Sequence, residues 1–541
     1  MLKGKNYVYG EVIVILEGYR AMVIETVEQV LTVMREFCSG EMLDINKLDQ
    51  TFHGYLENTR EYKIQQADYL KKRGLNIIHF NRIRGWYYYL MTFLLQATES
   101  QEVYKELIRY CMKDQNITKE NRFDLYYQLR RYNFLNSDIV DEEISDLCDD
   151  LYSSIYVAYK KELEGEYYFI PKEERNQNFV MVFISQVLGM EHGPTKTLLD
   201  RCYILEEYMG KKVFIVNTAE LASGYCSIHS FNPSYGNYIE ALKNESSLHY
   251  KNRDFAYFQC PHEMPDISVI REIMDVVKSE KPYFILTIGG NSIASDLCSN
   301  IIPTISISTV PSNRTMTYGQ FQAMGRRIID SDRKWIEKHN LPTDHIIESL
   351  FTSAFKEQTH LYTREQLGLP DNRFIVVLVG GRLDYEIDLN CMDVLYQLTG
   401  NGIFIVFLGK FDKYETYAEQ NETFKINSIN LGFQEDVLAV DECCDLYFNP
   451  KRVGGGTSVA EALYKGLPVV TLDYGDVGVG AGPDFHVKDY EEMYKKIIRY
   501  SQDKDFYEKM SKRARERAVE LMDSKSEFFK IIKKAEESDA F

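Results

Sequence analysis

Between Cys444 and Leu472 the chain reads CDLYFNPKRVGGGTSVAEALYKGLPVVTL, and no other stretch of the 541 residues carries so much potential chemistry. A short apolar run, Leu446 to Phe448, ends at Asn449-Pro450. Gly454, Gly455 and Gly456 follow, then Thr457 and Ser458. A short amphipathic helix should run from there to Gly466, with a second apolar run, Leu467 to Leu472, behind it. Strand, glycine turn, helix N-terminus and strand form a place for an anion. Glycines let the backbone approach closely, and the unpaired N–H groups of the first helical turn point at the ligand. Thr457 and Ser458 add hydroxyl donors, and Glu461 lies one turn in, within reach of a ribose hydroxyl. Lys451 and Arg452 supply cations beside the glycines. A ligand-free turn is the plain alternative, but it needs neither three glycines nor two adjacent hydroxyls.

Three further elements suit the same ligand. The run VVLVGGRLDYEID places Gly380 and Gly381 in a close-approach loop after a strand, with Arg382 at its carboxyl edge. A guanidinium there suits a diphosphate through paired N–H bonds. Gly432-Phe433-Gln434-Glu435 follows a later strand, where backbone groups can bond a pyrimidine edge. His192, in GMEHGPT, lies past a strand end at the start of a helix whose dipole favours a neutral imidazole. Such a group can orient or deprotonate a nucleophile; capping the loop is the alternative. Lys196 in the same helix can bond a phosphate or sugar oxygen, although a solvated lysine is the simpler expectation. Gly289 to Ser292 should line the cleft or form a plain turn. In Pro311 to Arg327, Arg314 and Gln320 are candidates to touch the same ligand. Gly475 to Phe485 is too glycine-rich for a regular element and reads as a mobile loop carrying Asp476 and Asp484.

These residues need elements to hold them. From Met22 to Lys161 the apolar spacing is helical. Ala21 to Phe37 sets Val23, Val27, Val30, Leu31 and Met34 on one stripe, and similar stretches recur at Ile64–Lys72, Trp86–Gln96, Glu102–Met112 and Glu143–Tyr159. The tyrosines Tyr87, Tyr88, Tyr89, Tyr126 and Tyr127 suit half-buried packing better than an acceptor surface. From Asn178 short apolar strands alternate with helices: Phe179–Val187, Lys212–Asn217, Tyr283–Ile288 and Thr304–Thr309. Lys334 to Arg373 is polar and proline-punctuated, with one helix expected near Ile346–Phe355. A second series follows at Phe374–Val379, Ile403–Leu408, Ile429–Leu431, Leu446–Phe448 and Val469–Leu472, and the tail from Asp489 is helical and charged. The fold class is α/β: an all-helical domain (residues 1–174), then two Rossmann-like domains (175–360 and 361–541) facing a cleft.

Composition narrows the remaining classes. Sixty-three basic against 81 acidic residues give a net charge of −18, which argues against a general nucleic-acid or anionic-membrane binder. Met1-Leu-Lys-Gly-Lys opens no secretory signal. The longest uncharged apolar stretch, Gly85 to Thr98, is too short to span a bilayer, so no integral membrane segment is expected. Ten cysteines without a C-x-x-C and ten histidines without ligand spacing point to a reduced, cytoplasmic protein with no structural metal.

In this order the elements from Phe374 to Ser511 resemble the carboxyl-terminal domain of GT-B glycosyltransferases, in a family-4-like form. A glycine-arginine follows the first strand and a glycine-phenylalanine loop comes next. Asp445 then opens a strand that proline ends, and the glycine turn precedes a helix carrying glutamate and Gly466-Leu467-Pro468-Val469-Val470. Two positions depart from the retaining branch, with Val453 and Ile387 where glutamate and lysine usually stand. Met190 to Thr195 is similar, with one glycine inserted, to the histidine-proline-threonine element of the O-GlcNAc transferase-like group, which includes bacterial cytoplasmic protein glucosyltransferases. The resemblance implies a glycosyltransferase that moves a sugar from a nucleoside-diphosphate donor, expected to be a UDP-sugar, to a protein, peptide or glycan. His192 and Arg382 would be catalytic. Gly381, Arg382, Phe433, Gln434, Gly454, Gly455, Gly456, Thr457, Ser458 and Glu461 would bind the donor. No Asp-x-Asp element follows a strand end, so no metal and no cofactor beyond the co-substrate is expected. Surface-polysaccharide assembly, a sugar-nucleotide 2-epimerase and a non-catalytic GT-B partner subunit stay open.

Overall fold

The computed structural model describes residues 26–41, 44–59, 63–81, 86–222, 228–342, 344–354 and 357–541. The opening pentapeptide, the start of the expected Ala21–Phe37 helix, Gly85 and Phe355 lie outside the described residues. Two compact units result. One comprises residues 1–158 with 222–236, the other 159–221 with 237–541.

The first unit is helical. Helices run over 26–39, Ile45–Thr59, Lys63–Asn81, Tyr87–Thr98, Gln101–Lys113 and Lys119–Leu135, and a further one begins at Glu142. Ser100 and Thr118 cap two of them by accepting from Val103 N and Asn121 N. The apolar stretch of the sequence becomes the central Tyr87–Thr98 helix, buried almost all round. Its tyrosines are core residues: the Tyr87, Tyr88 and Tyr89 rings are inside, and their hydroxyls donate to Glu106, Asp114 and Asp49. Residues 222–236 leave the α/β unit to join this one. There Phe231 packs against Phe52 and Phe93, and its N–H donates to Thr92 Oγ1.

The second unit holds two sheets. The first contains β1 (Phe179–Ile184), β2 (Lys212–Asn217), β3 (Ser247–Tyr250), β4 (Arg253–Gln259), β5 (Ile285–Ile288), β6 (Thr304–Ile307), β7 (Phe321–Ala323) and β8 (Ile346–Ile347). Their order is β3-β4-β2-β1-β5-β6-β7-β8, parallel except for β3 against β4. The second contains β9 (Ile375–Gly380), β10 (Phe404–Gly409), β11 (Ser428–Asn430), β12 (Leu446–Phe448), β13 (Val469–Leu472) and β14 (His486–Val487), in the parallel order β11-β10-β9-β12-β13-β14. Central strands such as β5 and β12 are buried at every residue. A parallel sheet covered on both faces requires that, and it explains the unbroken apolar runs.

Three expectations need correction. No helix forms over the described part of Ile346–Phe355. Ile346 and Ile347 form β8, and the following donors are taken by distant segments. Leu350 N donates to Glu527, Phe351 N to Gly325 O and Ser353 N to Leu521 O. Gly475–Ala481 is a helix rather than a loop, because its glycines allow close contact. A Cβ at Gly480 would lie 2.9 Å from Val459, and one at Gly478 would lie 3.1 Å from Leu472 O. Residues 524–541, grouped by sequence with the second Rossmann-like domain, pack elsewhere. Phe528, Ile531, Ile532, Ala535 and Phe541 belong to the first lobe's core.

Candidate active site

In each sheet the strand order reverses beside its first strand. β1 has β2 on one side and β5 on the other, and β9 has β10 and β12. Loops leaving the carboxyl ends at such a point diverge and open a crevice. The sequence-singled elements lie at those two points. His192 and the 289–292 turn follow β1 and β5; Gly381-Arg382 and the 449–456 turn follow β9 and β12.

The glycine turn is built on buried charge. Gly455 has φ of +101° and serves as N-cap of the Gly456–Lys465 helix. A Cβ on it would lie 2.9 Å from both Arg452 Nη2 and Val477, so only glycine fits. The first intrahelical bond is Val459 N to Gly455 O, which leaves the N–H groups of Gly456, Thr457 and Ser458 as the helix's leading donors. Gly454 is buried behind the turn. Ser458 is spent within it, because its hydroxyl donates to Gly455 O and lies 2.9 Å from the Tyr447 hydroxyl.

Arg452 is not a ligand-facing cation. It is 6% exposed, and it donates to Asn449 Oδ1 (2.7 Å), Tyr447 Oη (2.8 Å) and Glu386 Oε2 (2.8 Å). Glu386, one turn beyond Arg382, also accepts from Arg382 Nη2 at 3.0 Å. Burial alone would raise the Glu386 carboxyl, but Arg452 and Arg382 outweigh it and hold it below the usual carboxylate range. The carboxylate therefore fixes both guanidiniums. The sequence offered Glu386 only as one acidic residue among several after Arg382. Ile387 and Val453 are buried.

Gly381 is exposed at the sheet edge, with nothing within 4 Å of a Cβ placed on it. Phe433 is 71% exposed in the loop after β11, and the Gln434 side chain bonds Leu431 O within that loop.

On the first lobe, His192 is N-cap of the Gly193–Glu207 helix, and its Nδ1 lies 2.8 Å from Thr195 Oγ1. If Nδ1 carries the proton and donates to that hydroxyl, Nε2 keeps its lone pair as a base would need. Burial lowers the imidazole's pKa, against the pull of Glu191.

Two contacts join the lobes across the cleft. Lys196, expected in solvent, is 7% exposed and donates to Glu461 Oε1 at 3.2 Å. Asp476 accepts from both the N–H (3.1 Å) and the hydroxyl (2.7 Å) of Ser312. Burial pushes the Asp476 carboxyl up to about 7, opposed by the Ser312 bonds and by Arg452 and Arg382. The two helix starts also approach here, since a Cβ on Gly193 would lie 3.5 Å from Thr457 Oγ1. Other sequence candidates are structural. Arg314 bonds Ser331 O, Gln320 bonds Thr304 N and Ser299 O, and Asp484 pairs with Arg513.

Two facing sheets with crevices at their switch points define the GT-B architecture. Residues 362–517 match the family model of glycosyl transferases group 1. The carboxyl-terminal lobe thus carries a glycosyl transferases group 1 domain, and the chain has the GT-B fold. Among solved structures it is similar to a mutant of the Thermobaculum terrenum O-GlcNAc transferase. That likeness has 12% identity and a TM-score of 0.54, over 95% of this chain and 97% of that one. A glycosyltransferase from Rickettsia africae matches 67% of this chain and 100% of its own, at 11% identity and TM-score 0.49. No curated protein matches the chain significantly. Among the described residues, no helix is long and apolar enough to cross a membrane.

Proposed function

We propose that the chain transfers a sugar from a nucleoside diphosphate, specifically a UDP-sugar, to a protein, peptide or glycan acceptor without help from a metal ion. The observation that carries this reading is the glycine turn at the second sheet's switch point, with three leading N–H donors, beside Arg382. The pyrophosphate would sit on those donors. The Glu461 carboxylate would accept from ribose hydroxyls, and the base would lie along Phe433 and Gln434. As the bond from the sugar's C1 to oxygen breaks, its electron pair goes to the β-phosphate. Fixed N–H dipoles and Arg382 then stabilise that charge without reorganising. His192 would take the acceptor's proton at Nε2.

A panel of UDP- and GDP-sugars tests the reading, scored first by thermal shift and then by donor hydrolysis. One UDP-sugar should raise Tm and be hydrolysed slowly in the absence of acceptor. If neither nucleotide series binds, the reading is lost. Conversion of UDP-GlcNAc to its 2-epimer without acceptor would replace it with epimerisation.

A further inference from the structure

We infer that Lys196, a first-lobe residue, is the second cation of the donor site: it leaves Glu461 for the donor's diphosphate when the nucleotide binds. The inference rests on the donor reading above and adds a catalytic residue that reading does not contain. A departing diphosphate needs positive charge at its phosphates, and the second lobe's cations beside the turn are already engaged, with the Lys451 ammonium lying over the Tyr474 ring, 5.2 Å from its centroid. Arg452 is sealed beneath the turn by Asn449, Tyr447 and Glu386. Arg382 gives its Nε and Nη2 to the same Glu386, so a carboxylate already offsets part of its charge.

Lys196 is placed to make up the difference. Its side chain is 8% exposed, and the partner its ammonium meets is Glu461 of the opposite lobe. It lies in the first turn of the Gly193–Glu207 helix, where a cation meets the positive end of the helix dipole. The leading turn of the Gly456–Lys465 helix is adjacent, because Gly193 sits against Thr457. Two helix N-termini and an ammonium therefore converge, with the Glu461 carboxylate among them. Such a cluster is better satisfied by an added anion than by the protein alone.

A nucleotide would supply that anion and release the lysine in one event. Ribose hydroxyls donating to Glu461 replace the ammonium as its partner. The flexible four-carbon stem then lets Nζ turn to a phosphate oxygen beside the glycine turn. No proton need move. The ammonium stays protonated and donates to the β-phosphate oxygen as that oxygen gains the electron pair of the breaking bond. Gly193 marks how near the two helix starts lie, since a Cβ there would be in van der Waals contact with Thr457 Oγ1, at 3.5 Å.

The full chain, K196M and K196R are compared by calorimetry with UDP and by hydrolysis kinetics with the donor the panel identifies. K196M should lose about 100-fold or more in kcat, the scale of removing one charge-stabilising donor, with a much smaller change in KM. K196R should recover at least about tenfold of that loss, since it restores the charge. K196M turning over like the wild type, with wild-type UDP affinity, would overturn the inference and leave the donor reading intact. Wild-type protein that takes up no UDP would end both. If K196M does not fold, a crystal structure of the wild-type chain with UDP decides. Nζ bonded to a phosphate oxygen supports the inference, and Nζ still on Glu461 refutes it.

Discussion

In the second lobe the buried carboxylate of Glu386 is held ionised between Arg452 and Arg382. In the first lobe the buried carboxyl of Glu220 meets the neutral donors Ser292 Oγ and Ala294 N, and burial pushes it up to about 7. One lobe has fixed buried charges around its switch point, and the other has a carboxyl poised to be neutral. A lobe that must hold a polyanion benefits from guanidiniums locked before the ligand arrives, because locked groups need not reorganise.

The largest test of this contrast removes the clamp. E386A leaves the Arg452 guanidinium buried without its carboxylate and should cost about 3–5 kcal/mol of stability, read by urea unfolding. A variant as stable as the wild type would show that the pair is not structural. R382A leaves Glu386 its Arg452 partner, so it should lower Tm less than E386A does while losing about 2–4 kcal/mol of transition-state stabilisation, seen as kcat/KM of donor turnover. An unchanged kcat/KM would remove Arg382 from the chemistry.

The third test uses pH. Asp476 and Glu220 titrate at about 7 in the folded chain, against about 4 unfolded. Between those values the folded state keeps protons that the unfolded state has released. Their contribution is therefore complete below about pH 4, shrinks as pH rises, and is gone above about 7. D476N and E220Q should each flatten that decline, and unaltered slopes would contradict the raised values. The smallest effect belongs to F433A. With its ring in solvent, stability should change by less than about 0.5 kcal/mol, while donor KM rises if a base rests on it. An unchanged KM would place the base elsewhere.

The same contrast explains what could be read from the sequence. The second lobe's strands were all legible except the two-residue β14, because their unbroken apolar runs end in turns marked by glycine and proline. Gly455 shows why, since both its φ and its neighbours forbid any other residue. In the first lobe, β3, β4, β7 and β8 were missed. β4 is exposed at alternate residues near the sheet's edge, and β7 and β8 span three and two residues. Their pairing depends on neighbours distant in sequence rather than on local pattern. Lys196 was misread for a similar reason, as its burial comes from Glu461, 265 residues away. Glu386 was overlooked because nothing local marks a carboxylate that serves two arginines.

The chain crosses between the lobes twice, once between β8 and β9 and once near Asp523, after which the Ser524–Glu536 helix settles against the Gly193–Glu207 helix and β8. Two straps over one gap work like the leather of a bellows: lobes that swung open would still be held together at both folds. Entry of a bulky nucleotide would then be an opening angle rather than a separation. Shortening either strap should narrow the range of substrates admitted before it touches the chemistry.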